Sequence, residues 1–557
     1  MNGLMQQRQL LISDLIEHAC AHHGEREVVS HLVDGSVYRY TWHDVHARAK
    51  RVANAVGGLG VAPGERVSSL AWNTHRHLEL YFGVTGSGAV LTTVNPRLFA
   101  EQISYIINHS ESRYVFFDTS FSATVEEIAK ACPNVQGFIA MCGRDQMPDI
   151  AIRGLRCYEE LIEAADTKFD WPRFDENRAS TLCYTSGTTG NPKGVLYSHR
   201  STVLHSFGTC TADGFAIAAR DSILLVVPMF HVNAWGVPYA AAMSGAKLVL
   251  PGPWLDGENI YRMLRNERCT ITLGVPTVWL SLFDYVEKNV DDTRRREETQ
   301  LTRVVVGGSA APRIVIEKFE RYFGAFVIQA WGMSETSPVA TVCTLLAKHQ
   351  SLTLDQRFDL QTLQGRAMYG VEIAVFDDDL RRIPHDGKTA GQLKVRGPWI
   401  ASAYYKNEDD SAWGADGWFA TGDVAMIDPD GYLRITDRSK DVIKSGGEWI
   451  SSIDLENVAL SHPAVQEAAV IGVAHSRWQE RPLLVVVKKP GNNVTSEDII
   501  EFMRGRIAKW WLPDDVVFVE SLPHSATGKL QKVVLRQKFS GHRFSTDLSD
   551  LTSMSRP

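Results

Sequence analysis

The chain has 557 residues, 44% hydrophobic and 22% charged, with a formal net charge of −7. That length exceeds one ordinary core and predicts two or more domains, while acid and base mixed along a mildly acidic chain argue against nucleic acid as a main partner. The eight cysteines include no CxxC pair, which speaks against a zinc site or a disulfide framework and makes a reducing cytoplasm the expected compartment. The N-terminus lacks the basic-then-apolar order of a signal peptide. The longest apolar runs, such as residues 223–227, are too short to span a membrane, so no integral segment is expected.

Residues 8–21 place Leu10, Leu11, Leu15, Ile16 and Ala19 at helical spacing. Asp34-Gly35 stands between two alternating runs, 28–33 and 36–40, and predicts a tight hairpin. Residues 41–44 (Thr-Trp-His-Asp) have the form of a capping box, and apolar positions 42, 45, 49, 52, 53 and 56 predict the helix behind it. Strands at 66–71, 89–94 and 114–117 then alternate with helices near 76–84 and 101–108, the pattern of α/β layers with parallel sheets.

Residues 184–194 read YTSGTTGNPKG. Glycines let the backbone approach a ligand closely. Hydroxyls at Thr185, Ser186, Thr188 and Thr189, with free N–H groups, can donate to phosphate oxygens, and Lys193 adds a mobile positive charge. The composition is that of a phosphate loop, without the Gly-Lys-Ser/Thr ending of the Walker pattern.

A helix near 199–208 and a strand at 223–227 lead to PMFHVNAWGVP at 228–238, rich in aromatics and carrying one imidazole, His231. A second βα series follows, with strands at 270–274, 304–306 and 326–329 ending in Pro276, GGSAAP (307–312) and WGMSET (331–336). Ligands of open α/β sheets collect beyond the carboxyl ends of strands, so the ends at 184, 228, 307 and 331 are expected to converge on one site. After about 365 short strands predict a distorted barrel or sandwich. From 453 a small α/β unit begins: a helix near 453–460, strands near 465–473, 483–488 and 516–519, and helices from 495 and near 532–538. The tail from Gly541 is polar and expected to be unstructured.

Seven motifs stand in order over some 350 residues: YTSGTTGNPKG, PMFHVNAWG, GGSAAP, WGMSET, TGD (421–423), DRSKDVIKSGGEWI (437–450) and SATGK (525–529). With them the chain, from about 10 to 540, resembles the AMP-forming adenylating enzymes, which include acyl-CoA synthetases, luciferases and peptide-synthetase adenylation domains. The resemblance implies a large N-terminal domain, residues 1–438, of two α/β subdomains plus a distorted β-barrel, and a small mobile α/β lid domain, residues 439–557, hinged near Lys440. It implies ATP and magnesium, with coenzyme A as co-substrate, and a homodimer.

By motif, Glu335 is the implied magnesium carboxylate and Thr185 its hydroxyl partner. Ser186, Gly187, Thr188, Thr189 and Lys193 would hold the phosphates. Gly307, Gly308, Ser309, Ala310 and Gln329 would line the adenine and acyl pockets, and Gly332 and Ser334 would meet the α-phosphate. Asp423 would accept the ribose hydroxyls beside Arg438. Lys529 is implied as the catalytic ammonium that bridges acid and α-phosphate. Rotation of the lid would remove it and bring in Lys444, Gly446, Gly447 and Trp449 for the thiol step. His231, Trp235, Gly307 and Trp331 are implied as walls of the acid pocket, and His231 is counted with Lys529 and Glu335 among the implied catalytic groups. The chain departs from the family at Trp331, where most members have Tyr. An indole can still stack on adenine through its face, but it has no hydroxyl and is larger, which would narrow the floor of the nucleotide or acyl pocket.

HVNAWG, VVGGSAAP and IKSGGEWISS resemble a bacterial subgroup of medium- and long-chain fatty acyl-CoA ligases and 3-methylmercaptopropionate-CoA ligases. Bulky Trp235 and Trp331 favour short or medium tails, including the thioether acid. A long-chain acid is the alternative, followed by a non-CoA acceptor or a noncatalytic nucleotide-binding scaffold.

Overall fold

The structure is a computed structural model. It describes residues 1, 3–185, 191–406, 411–414, 416–438, 441–445, 448–524 and 530–544, with the backbone alone at Glu448 and Trp449. A large mixed α/β region is followed by a smaller α/β unit. Two large sheets carry the first part. In one, Leu155–Cys157, Gly137–Ala140, Ser112–Phe117, Arg66–Leu70, Val90–Thr93 and Ala179–Tyr184 run parallel, and Gly194–Ser198 closes the edge antiparallel. In the other, nine strands run in the order Arg366–Ala367, Val339–Val342, Phe326–Gly332, Arg303–Val306, Ile271–Gly274, Ser222–Leu225, Lys247–Leu250, Glu27–His31 and Val37–Thr41. Its middle is parallel, as the strand–helix alternation predicts, and both margins are antiparallel.

The hairpin expected at Asp34-Gly35 forms that margin, with Glu27 opposite Thr41 and His31 opposite Val37. Asp34 Oδ1 accepts from Ser36 N at 2.9 Å, and Gly35 takes φ +84°, which a side chain would resist. Thr41 and Asp44 form the expected reciprocal cap of the helix Trp42–Gly58. Trp42 is fully buried between the sheets and donates its indole N–H to Ala246 O at 3.1 Å. Truncating such a side chain to Ala costs about 3–5 kcal/mol.

The first helix begins later than its periodicity suggests, at Ile12. Leu10 N donates to Glu176 Oε2 at 2.8 Å and Ile12 N to His199 Nδ1 at 3.2 Å, so distant partners hold the approach to the helix. Where a barrel or sandwich is expected, Glu372–Phe376, Gly391–Arg396, Phe419–Ile427 and Leu433–Arg438 form a four-stranded antiparallel sheet. The smaller unit has a five-stranded sheet around the long hairpin Val465–His475 and Gln479–Lys488, with the helix Ser452–Leu460 against it. The tail is ordered further than its polarity suggests, because Phe544 is fully buried against that sheet; residues 545–557 lie outside the described residues. Among the described residues, no helix is long and apolar enough to cross a membrane.

Candidate active site

The four strand ends meet across both large sheets. Thr185, Pro228, Gly307 and Trp331 line one cavity of about 410 Å³. The strand Ala179–Tyr184 delivers Thr185, whose N–H donates to Lys193 O at 2.9 Å. Lys193 N in turn donates to Thr185 Oγ1 at 3.3 Å. This pair closes the neck of the glycine-rich loop; Ser186, Gly187, Thr188 and Thr189 lie outside the described residues. The Lys193 ammonium stands 4.8 Å from the ring centre of Tyr404, a cation–π contact.

Tyr404 reaches the acidic centre as well. Its hydroxyl donates to Glu335 Oε1 at 2.5 Å, and Ala401 N donates to Glu335 O at 2.8 Å. Glu335 is 4% exposed and faces the cavity with Thr185 and Ser334. Ser334 O accepts the buried Tyr197 hydroxyl at 2.6 Å. A carboxylate and a hydroxyl on one cavity are hard oxygen donors. They suit magnesium, which takes one or two carboxylates and completes its shell with water and substrate phosphates. Among the described residues no group of three or more His, Cys, Asp or Glu gathers to hold a metal by itself.

A side cavity of about 120 Å³ adjoins, lined by Gly308, Ser309, Ala310, Gln329, Trp331, Gly332, Asp423 and Arg438. Gly308 has φ +80°. Gln329 is 1% exposed, and its Oε1 accepts from Ala311 N at 3.2 Å, which fixes the GGSAAP turn on the neighbouring strand. Asp423 is nearly buried. Its Oδ2 accepts the Trp331 indole N–H at 3.1 Å and its Oδ1 pairs with Arg438 Nε at 2.8 Å. Trp331 thus stands on the boundary of both cavities.

The opposite end of the main cavity is apolar. His231, half-buried, and Trp235 border it with Val227, Val232 and Val275. A Cβ on Gly307 would lie 3.0 Å from the Trp235 ring and 2.9 Å from Ala330 O, so glycine lets the indole rest on the strand end. The turn that carries Trp235 is left-handed: φ is +41° at Val232, +50° at Asn233, +48° at Ala234, +56° at Trp235 and +73° at Gly236. Each non-glycine residue in that region costs about 1–2 kcal/mol, so the surroundings must hold the turn. Asn73 secures its approach, with Nδ2 donating to Leu225 O and Val227 O and Oδ1 accepting from Met229 N at 2.7 Å. His205 Nε2 accepts from Val339 N at 3.2 Å, and a Cβ on Gly236 would meet His205 Nδ1 at 2.7 Å.

A cleft of about 490 Å³ runs from Gly308, Ser309 and Ala310 to the smaller unit, where His524 and Leu530 border it. Lys440, Gly446, Gly447 and Lys529 lie outside the described residues, as does the side chain of Trp449. Lys444 is exposed on the smaller unit and lines none of these three cavities. Sequence reasoning did not single out Tyr404, Asn73, His205 or Asn233. None sits in a motif position that announces chemistry except Asn233, which lies inside HVNAWG.

Residues 16–405 match the family model described as AMP-binding enzyme, and residues 454–529 match that of the AMP-binding enzyme C-terminal domain. The chain is 50% identical to a 3-methylmercaptopropionyl-CoA ligase of Ruegeria lacuscaerulensis, over 97% of this chain and 99% of that protein. It is 49% identical to a medium-chain-fatty-acid–CoA ligase of Ectopseudomonas oleovorans, over 97% and 98%. In fold it matches the crystal structure of an anthranilate CoA ligase in complex with anthranoyl-AMP, with a TM-score of 0.84 at 24% identity, over 97% of this chain and 99% of that one.

Proposed function

The chain belongs to the AMP-binding enzyme family and is an ATP-dependent acid–thiol ligase that forms an acyl-adenylate and then an acyl-CoA; from that premise we propose that its acid is a short- or medium-chain carboxylic acid with an uncharged tail, 3-methylmercaptopropionate among them. The observation that carries this reading is Trp235 resting on Gly307 at the apolar end of the cavity. Relatives named for the thioether acid and for medium-chain acids support it. A methylene is worth only about 1–3 kcal/mol in an apolar pocket, so neighbouring chain lengths are poorly separated and a ceiling on length is the discriminating feature.

In the first half-reaction a carboxylate oxygen attacks the α-phosphorus of ATP and the bond to the bridging oxygen breaks, releasing pyrophosphate. Two anions meet, so fixed positive charge and donors must be in place beforehand. Lys193, with Thr188 and Thr189, holds the departing phosphates. Ser334 contacts the α-phosphate, Asp423 and Arg438 the ribose, and Gly308, Ser309, Ala310 and Gln329 the adenine. Glu335 and Thr185 would hold magnesium, which supplies positive charge to the phosphates when bound. Lys529 bridges the acid carboxylate and the α-phosphate. In the second half-reaction the thiol sulfur attacks the acyl carbonyl and AMP leaves. For this step a lid of residues 439–557 turns about Lys440 on a body of residues 1–438, and Gly446 and Gly447 give passage to the pantetheine arm. The cytoplasm is the expected place of action.

The test is kcat/KM for acids from propionate to palmitate, in the protein and in Trp235→Ala. The reading expects a fall beyond medium length, and an extension of the accepted range in the variant. An unchanged length profile in Trp235→Ala would overturn the assignment of Trp235 as the end wall.

A further inference from the structure

The left-handed turn 232–236 needs an anchor, and the structure provides one in Asn233. Its side chain is 3% exposed and turns away from the cavity toward the strand Ala179–Tyr184. Asn233 Nδ2 donates to Thr181 Oγ1 at 2.8 Å, and its Oδ1 accepts the Cys183 thiol at 3.3 Å. Residues 181 and 183 share one face of the strand, so the two bonds seat both ends of the amide. Both partners are buried, and burial pushes the Cys183 thiol up to about 11, which keeps it an S–H donor at neutral pH. Two residues beyond Cys183 the same strand presents Thr185 to the cavity.

We propose that Asn233 is a positioning residue that sets acid selectivity, by strapping the turn that carries His231 and Trp235 to the strand that feeds the phosphate loop. The strap fixes the distance between the apolar end wall and the phosphate end of one cavity. That distance decides which tail brings its carboxylate into register with the phosphates. Asn is suited to the position twice over: it tolerates positive φ better than most other non-glycine residues, and its amide offers a donor to Thr181 and an acceptor to Cys183, whose sulfur also contacts Thr93 Oγ1 at 3.4 Å. The inference rests on the reading of this cavity as the acid site, and not on any particular chain length.

Two variants separate the strap from the backbone preference. Asn233→Gly keeps the freedom for positive φ and removes the amide. Thr181→Val keeps shape and leaves the turn untouched. Steady-state kinetics are measured on the full-length protein with ATP, Mg²⁺ and coenzyme A, using whichever acid the unmodified protein prefers and the acid two carbons longer. Both variants are expected to raise KM for the preferred acid about tenfold and to flatten the ratio of the two kcat/KM values by a similar factor, as loss of a buried hydrogen bond implies. KM for ATP is expected to stay within about twofold. The double variant is expected to be no worse than the poorer single one, because one strap is cut either way. The proposal is overturned if acid KM and the length ratio hold within about twofold in Thr181→Val, or if KM for acid and for ATP rise together. Should Asn233→Gly fail to fold, Thr181→Val decides alone. A preference for palmitate in the unmodified protein would defeat the short-acid reading while leaving this test intact.

Discussion

The Trp331 indole N–H donates to Asp423 Oδ2 at 3.1 Å, and on the other side Arg438 Nε holds Asp423 Oδ1 at 2.8 Å. Trp331 therefore does more than fill space. Its ring borders both cavities while its N–H orients the carboxylate assigned to the ribose. Trp331→Phe keeps an aromatic face and removes the donor. A hydrogen bond to a charged group is worth about 1.5–3 kcal/mol, so KM for ATP in acid-dependent pyrophosphate exchange is expected to rise about tenfold or more, with KM for the acid changing less.

Glu335 combines near-complete burial with a short bond from Tyr404. Glu335→Gln preserves size and the tyrosine contact but removes the charge. Adenylation is expected to fall about 10²–10³-fold, the usual loss for a group that stabilises charge in the transition state. The Mg²⁺ concentration for half-maximal rate is expected to rise. Tyr404→Phe leaves the carboxylate in place and is expected to cost about tenfold or less. Initial rates over a magnesium series check both, and an unchanged magnesium dependence in Glu335→Gln would remove that residue from the metal site.

The two half-reactions are expected to separate in two variants of the lid. Lys529→Ala should lose adenylation by about 10²–10³-fold and spare thioester formation from supplied acyl-adenylate. Lys440→Pro stiffens the implied hinge and should slow thioester formation more than adenylation. Single-turnover assays of each step make the comparison; equal losses in both steps would count against these roles.

Burial holds three histidines well below their ordinary value of 6.5: His77 at about 4, His199 at about 3 and His205 at about 3. The unfolded chain binds protons below pH 6.5 while the folded chain does not. The neutral-histidine stability is therefore full above pH 6.5 and is lost as pH falls through 6.5 toward about 4 for His77 and about 3 for His199 and His205. Each group contributes up to about 1.4 kcal/mol per pH unit in that window. Thermal midpoints are expected to fall between pH 7.5 and 5.5, and His205→Gln is expected to make the fall shallower.

The sequence motifs contain most of the residues that line the cavity. Thr185 and Gly307 stand just past strand ends, His231, Trp235 and Glu335 on the turns that follow such ends, and Lys193 where the next strand begins; strand ends announce themselves by apolar runs that stop at Gly, Pro or hydroxyl residues. The convergence of these ends is legible, but that the strand before Thr185 belongs to a different sheet from the other three is not, since periodicity shows a strand and not its neighbours. Tyr404 was missed because it acts through a contact with Glu335, 69 positions away in the chain. The left-handed turn at 232–236 was missed because Val, Ala and Trp ordinarily avoid positive φ. Tertiary anchors at Asn73 and Asn233 impose it. The early start given to the first helix has the same origin, because partners at Glu176 and His199 lie beyond any local pattern.

The most direct measurement is a single-pot competition. Equimolar 3-methylmercaptopropionate, butyrate, hexanoate, octanoate and palmitate are mixed with the protein, ATP, Mg²⁺ and limiting coenzyme A, and the acyl-CoA products and AMP are quantified by mass spectrometry. Product ratios report relative kcat/KM directly. Predominance of short, medium or thioether acyl-CoA, with one AMP per thioester, is the predicted result. Predominance of palmitoyl-CoA would show that the cavity opens past Trp235, and would contradict the proposed acid class.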